Sequence, residues 1–109
     1  NNKVKAEEIG DNMDDRNYII VLYDYYMELF NDKQRKYFED YYFNNLSLAE
    51  ISDNIGISRN AIHKVIKNME DKLYFYEDKL RLYDKACKLK NIVENIDDVA
   101  LKEKLKELY

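Results

Sequence analysis

Residues 47–68 read SLAEISDNIGISRNAIHKVIKN, and the order of polar and apolar side chains in this stretch decides the fold. Ser47 and Glu50 have the spacing of a capping box: the serine hydroxyl accepts from the Glu50 amide, and the glutamate accepts from the serine amide. A helix from Leu48 to Asn54 therefore starts sharply. Gly56 supplies the positive-φ residue that ends it in a tight turn, and Ser58 caps a second helix. Ile51, Ile55, Ile57, Ile62 and Val65 fall where two crossed helices bury each other. Ser52 stands where the helices approach closely and a small side chain is needed. Arg59, Asn60, His63, Lys64 and Lys67 fill the opposite side of the second helix. A major-groove reader needs this division, polar N-terminal turns outside and isoleucines inside. The competing reading is an ordinary corner of two helices with no nucleic-acid role.

Outward from the motif, the chain offers little except helix. Its 109 residues include two glycines and no proline, so the turns that sheets and hairpins require are missing. The expected fold is all-α: a helix-turn-helix domain with a long C-terminal helical extension. Asp15 is a candidate N-cap for RNYIIVLYDYYMELF, whose Ile19, Leu22, Tyr23, Tyr26 and Leu29 with Phe30 recur at helical spacing. Asp32 can cap KQRKYFEDYYF, with Tyr37, Phe38, Tyr41 and Tyr42 inward, and Asn44-Asn45 closes it. The eleven tyrosines are expected as core residues with hydroxyls at the rim, not as base-stacking platforms. Residues 1–12 show no sustained apolar period and are read as a flexible extension.

After the motif, Ile62, Ile66, Met69, Leu73, Tyr76, Leu80, Tyr83 and Cys87 alternate in steps of four and three, a heptad seam. Nothing between residues 59 and 90 interrupts a helix, which would extend roughly 48 Å. Such a helix projects from a small domain, or bends near Lys72 and packs on the first two helices. In the projecting form, Met69, Leu73, Tyr76, Leu80, Tyr83 and Cys87 pair two chains as a homodimer. The expected organisation is then an extension at 1–12, the helix-turn-helix domain at 13–72 and a helical dimerisation element at 73–109. A last helix, Val99 to Leu108, follows a cap at Asp97 or Asp98.

The net charge of −4 argues against indiscriminate binding to DNA, so its distribution matters more. Residues 1–32 balance to −5, 33–57 to −1, 58–90 to +4 and 91–109 to −2. Positive charge gathers where the second helix would meet a phosphate backbone. A single cysteine, Cys87, excludes an internal disulfide and a cysteine-built zinc site. No apolar run reaches the roughly 20 residues of a membrane span, and no secretory pattern opens the chain. These features point to the cytoplasm and away from a membrane. No phosphate loop, metal-ligand cluster or nucleophile–base pair is present, so neither an enzyme nor a cofactor is expected.

Base contacts fall to Arg59, which suits guanine N7 and O6, and to Asn60, which suits adenine N6 and N7. Lys64 and Lys67 would touch phosphate, Ser58 and His63 would lie at the surface beside them, and Lys33, Arg35 and Lys36 could contact the backbone from the side. With these residues in place, DKQRKYFEDYYFNNLSLAEISDNIGISRNAIHKVIKNMEDKLYFYEDKLRLY resembles the YlxM-like family of small helix-turn-helix proteins. The pieces DKQ, YY, LSLAEI, GISR, AI and IK are its most specific parts, and the likeness runs from Met13 to the end of the long helix. Within it, the helix-turn-helix is similar to the fourth region of primary σ factors, which implies a fold and a docking mode. Members of the YlxM-like family are encoded beside genes of the signal recognition particle, which implies a link to protein targeting. That link implies either a DNA-binding regulator or an adaptor that binds the particle's protein or RNA. Where the family usually carries glutamine, alanine, tyrosine and aspartate after its serine-arginine pair, this chain has Asn60-Ala61 and His63-Lys64. The resemblance therefore carries over no target sequence.

Overall fold

The computed structural model describes residues 13–109; the expected extension at 1–12 lies outside them. Short polar side chains start most of its helices. Asp14 accepts from the Asn17 amide at 2.7 Å and opens α1, Asp15–Tyr26, which passes into a 3-10 turn at Met27–Leu29. Asn31 and Gln34 form a reciprocal capping box ahead of α2, Asp32–Tyr42. Both caps stand one residue before the aspartates expected to serve; Asp15 and Asp32 instead sit in the first turns, where their charge favours the helix N-terminus. Ser47 and Glu50 make the predicted box at α3, Leu48–Ile55. Gly56, at φ 81, ends α3, and Asn45, at φ 55, turns the chain after α2. Ser58 accepts from the Ala61 amide and starts α4, Arg59–Leu80. Then come α5, Leu82–Glu94, and α6, Val99–Lys106, which Asp98 caps. No strand occurs among the described residues.

The central element is α4, which touches α1, α2, α3 and α5. Its Ile62, Ile66, Met69 and Leu73 are buried with Leu22, Tyr23 and Tyr26 of α1, Phe38 of α2 and Ile51 of α3. Aromatic rings fill the space: Tyr23 stacks on Phe38 with ring centres 4.1 Å apart, and Phe38 on Tyr42 at 4.4 Å. Tyr18 is buried as well, a position absent from the expected inner face, and Leu29 is 54% exposed. The 3-10 turn accounts for Leu29: it tightens the end of α1 and leaves Phe30, not Leu29, facing the core. Arg16 ties α1 to the end of α2: its guanidinium donates to the Tyr42 carbonyl at 3.1 Å and lies over the Tyr42 ring.

The long helix is not continuous to residue 90. It breaks at Arg81, whose φ of 56 is left-handed, and it runs uninterrupted through Lys72. The amides that open α5 find no side-chain cap at Arg81. They are satisfied from elsewhere in the molecule. Glu77, 5% exposed, accepts from the Tyr83 amide through Oε1 at 3.1 Å and from the Asp84 amide through Oε2 at 3.0 Å. The Tyr26 hydroxyl donates to Glu77 Oε1 and accepts from the Leu82 amide at 3.0 Å. A carboxylate aimed at a helix N-terminus is favoured by the local dipole as well as by these bonds.

The break redistributes the heptad seam. Met69 and Leu73 are both 0% exposed inside a single chain, so neither can form the dimer surface expected of them. Tyr76 and Tyr83 pack, partly buried, against the same core, and Cys87 is half-buried. Only Leu80, at 46%, is open. The reason is that α1 and α2 cover the seam that a projecting helix would have left bare. The expected division after residue 72 falls inside α4. Among the described residues, no helix is long and apolar enough to cross a membrane.

Candidate nucleic-acid interface

The first turns of α4 carry the polar face. Ile62 and Ile66 point into the core, and at 100° per residue this turns Arg59, Asn60, His63, Lys64 and Lys67 to solvent, where all five are exposed. The turn before them is fixed by two bonds besides the caps. Ser52 donates its hydroxyl to the Ile57 carbonyl at 2.6 Å, and the Gly56 amide donates to the Ser52 carbonyl at 2.8 Å. The small side chain expected at position 52 thus also pins the loop that aims α4.

The glutamates and the aspartates of α4 are placed differently. Glu70 and Glu77 lie toward the core side, where they accept from the hydroxyls of Tyr42 and Tyr26, whereas Asp71 stands exposed beside Lys67. Burial first, and then the neighbouring glutamate, raises the pKa of both tyrosines, so each stays a donor far above neutral pH. Arg59, Asn60, His63 and Lys64 make no ion pair or side-chain hydrogen bond among the described residues. Lys67 pairs with Asp71 one turn on, at 3.0 Å, and both side chains are well exposed. Exposed pairs of this kind contribute about 0–1 kcal/mol, so a phosphate can displace the carboxylate.

His63, Lys64, Lys67, Asn68 and Asp71 line one shallow concavity. Asn68 and Asp71 were not among the expected site residues, although they stand one helical turn beyond Lys64 and Lys67. Ser58 is exposed, but its hydroxyl is engaged as the helix cap. The α2 cations are arranged differently. Lys33 is exposed, Arg35 approaches Glu28 at 3.7 Å, and Lys36 pairs at 3.0 Å with the buried carboxylate of Asp40. Asn44 donates to the same oxygen, which leaves Asp40 well partnered and Lys36 committed to it. No group of three or more histidine, cysteine, aspartate or glutamate side chains able to hold a metal occurs among the described residues.

The sequence pattern that defines the YlxM/p13-like helix-turn-helix proteins, UPF0122, matches residues 13–108. The chain belongs to this family. A UPF0122 protein of Caldanaerobacter subterraneus subsp. tengcongensis is 44% identical over 85 residues, 78% of this chain and 73% of that protein. One from Ureaplasma parvum serovar 3 is 38% identical over 97 residues, 89% of this chain and 98% of its own length. One from Oceanobacillus iheyensis is 42% identical over 78 residues, 72% of this chain and 74% of its own. The UPF0122 match begins at the first described residue and runs through α6, so it takes in the C-terminal helices as well as the helix-turn-helix.

Proposed function

We propose that this UPF0122 protein is a DNA-binding regulator that lays the N-terminal turns of α4 in the major groove. The observation that carries this reading is the free, exposed set Arg59, Asn60, His63 and Lys64 on a helix whose opposite side is locked into the core. Arg59 and Asn60 read base edges, Lys64 and Lys67 hold phosphates, and Lys33 touches the backbone from α2. Arg35 and Lys36 join only by leaving their carboxylate partners. The protein acts in the cytoplasm as a homodimer, with the C-terminal helices α5 and α6 supplying the pairing element and two copies of α4 about 34 Å apart on adjacent half-sites. The resemblance to the YlxM-like family supports a setting in the signal recognition particle pathway.

A second reading, in the same pathway, is an adaptor that binds a protein or the RNA of the particle. What favours it is the acidic balance of −4 together with exposed Ile92 and Val99 on the C-terminal helices and Leu108 just beyond them. An RNA duplex would not admit α4 in its deep, narrow groove. A gel-retardation series against DNA upstream of the protein's own gene, beside the particle RNA, separates the two. If about four phosphates are neutralised per subunit, log affinity falls with log salt at a slope near −3.6. Lys64→Ala with Lys67→Ala flattens that slope by roughly two. An unchanged slope removes both lysines from the interface; retention of a targeting protein with no nucleic acid bound favours the adaptor.

A further inference from the structure

Arg81 is the entire connection between α4 and α5, and it is one of two non-glycine residues with positive φ among the described residues. The left-handed conformation is costly for a residue with a Cβ, and nothing in the local sequence asks for it. On either side of the break the heptad seam stays in phase: Leu73, Tyr76, Leu80, Tyr83 and Cys87 continue the alternation of three and four. The sequence thus specifies one helix across a point where the folded chain makes two. Tight hinges held against their backbone preference are the points at which proteins exchange elements between copies.

We infer that the hinge at Arg81 opens into a continuous helix and that two copies of this chain exchange α5 and α6 to form a dimer.

Opening costs few hydrogen bonds. The amides of Leu82, Tyr83 and Asp84, now held by Tyr26 and Glu77, would donate to the carbonyls of Asp78, Lys79 and Leu80 in an unbroken helix. The Arg81 amide already donates to the Glu77 carbonyl at 2.9 Å, and the Lys85 amide to the Arg81 carbonyl at 2.9 Å, as a straight helix requires. What opening does forfeit is the two amide bonds that Glu77 accepts and the packing of α5 on α1, where Tyr83 meets the rings of Tyr18 and Tyr25 at 5.9 and 5.8 Å. A second copy restores that packing with the same residues, since the vacated surface on its α1 is identical. Exchange also relieves two left-handed residues per dimer. The rod from residue 59 to residue 94 would be about 54 Å long and would join the two helix-turn-helix units rigidly. This mechanism rests on the dimeric state proposed above, which the test below treats separately.

The natural cysteine makes the exchange visible. Tyr25 of α1 and Cys87 of α5 line the same small hollow. In a Tyr25→Cys variant, the pair of thiols joins α1 to α5 within a closed chain, but joins two chains in an exchanged dimer. The variant is separated into monomer and dimer at near-millimolar concentration, oxidised with glutathione disulfide and run on a non-reducing gel, with the natural protein as control for Cys87 pairing with itself. Chain-to-chain bonds in the dimer fraction, absent from the control, are expected. Bonds that close within each chain of the dimer overturn the exchange and leave the dimer standing, whereas no dimer at all overturns both. Two hinge substitutions should move the association constant in opposite directions. Arg81→Gly suits the closed turn and disfavours the straight helix, and lowers it about five-fold per hinge, or about 25-fold for the dimer. Glu77→Gln sets a donor against an amide of α5 and raises it. An Arg81→Gly protein that pairs as well as the natural one rules the mechanism out.

Discussion

Tyr37 holds its hydroxyl in the core with no hydrogen-bond partner among the described residues, unlike its neighbours in type. Tyr23, Tyr26 and Tyr42 each donate to a glutamate, respectively Glu39, Glu77 and Glu70. A buried donor without an acceptor costs about 1–3 kcal/mol, and phenylalanine fills the same space without it. Tyr37→Phe should therefore stabilise the protein by about 1 kcal/mol, read as a higher urea midpoint at unchanged slope; a lower midpoint would mean that the hydroxyl is partnered after all. The sequence announced that most of the tyrosines face inward with polar tips, because their spacing is local, but it passed over Tyr18. It could not announce which carboxylate each tip meets, since Tyr26 and Glu77 are 51 residues apart. The candidate site divides in the same way. That Arg59, Asn60, His63 and Lys64 face outward follows from Ile62 and Ile66 facing in. The commitment of Lys36 to Asp40 was hidden because it depends on how deeply α2 buries Asp40.

At the scale of helices, starts were more legible than stops. A start is written by a side chain two or three residues from the amide it serves, and Ser47, Ser58 and Asp98 all do what their positions suggest. The stop of α3 was legible for a related reason, since only glycine adopts φ 81 at little cost. A Cβ built on Gly56 would meet nothing within 4 Å, so substitution there is a backbone effect alone. Gly56→Ala should cost about 1 kcal/mol and Gly56→Asn less, because asparagine tolerates the left-handed region. Thermal unfolding of the pair tests this; equal losses would point to a lost contact instead. The stop of α4 was illegible. Arg81 carries no breaking signal, and the groups that make the break tolerable include a hydroxyl 56 residues from the amide it accepts from. A heptad pattern says that one face is apolar, but not whether a partner chain or the chain's own α1 covers it.

The described residues extend 55 × 28 × 23 Å and are held largely by aromatic side chains whose titration links folding to pH. Burial first pushes the phenols of Tyr74 and Tyr83 up to about 12; the carboxylates of Asp15 and Glu70 add to this for Tyr74, and the neighbouring Cys87 thiol adds to it for Tyr83. Tyr18, Tyr23, Tyr26 and Tyr42 are raised further, again chiefly by burial. Unfolded tyrosine titrates near 10, so between about pH 10 and 12 the folded chain holds more protons than the unfolded one. The stabilisation is complete below about pH 10 and is lost as pH rises through the folded values. Helicity should accordingly persist to about pH 10 and then collapse in one step that coincides with tyrosinate absorbance. Phenols that ionise well before helicity is lost would mean that these rings are open to water.

Between the end that offers Arg59 and the end that meets Arg81, α4 has no joint over 22 residues, about 33 Å of stiff axis. Its inner side is clamped by Ile62, Ile66, Met69 and Leu73, so it cannot roll in its seat. The helix is therefore a spacer of fixed length and fixed facing, and the bearing of Asn60 relative to Leu80 is set once, by the same core that buries those four side chains.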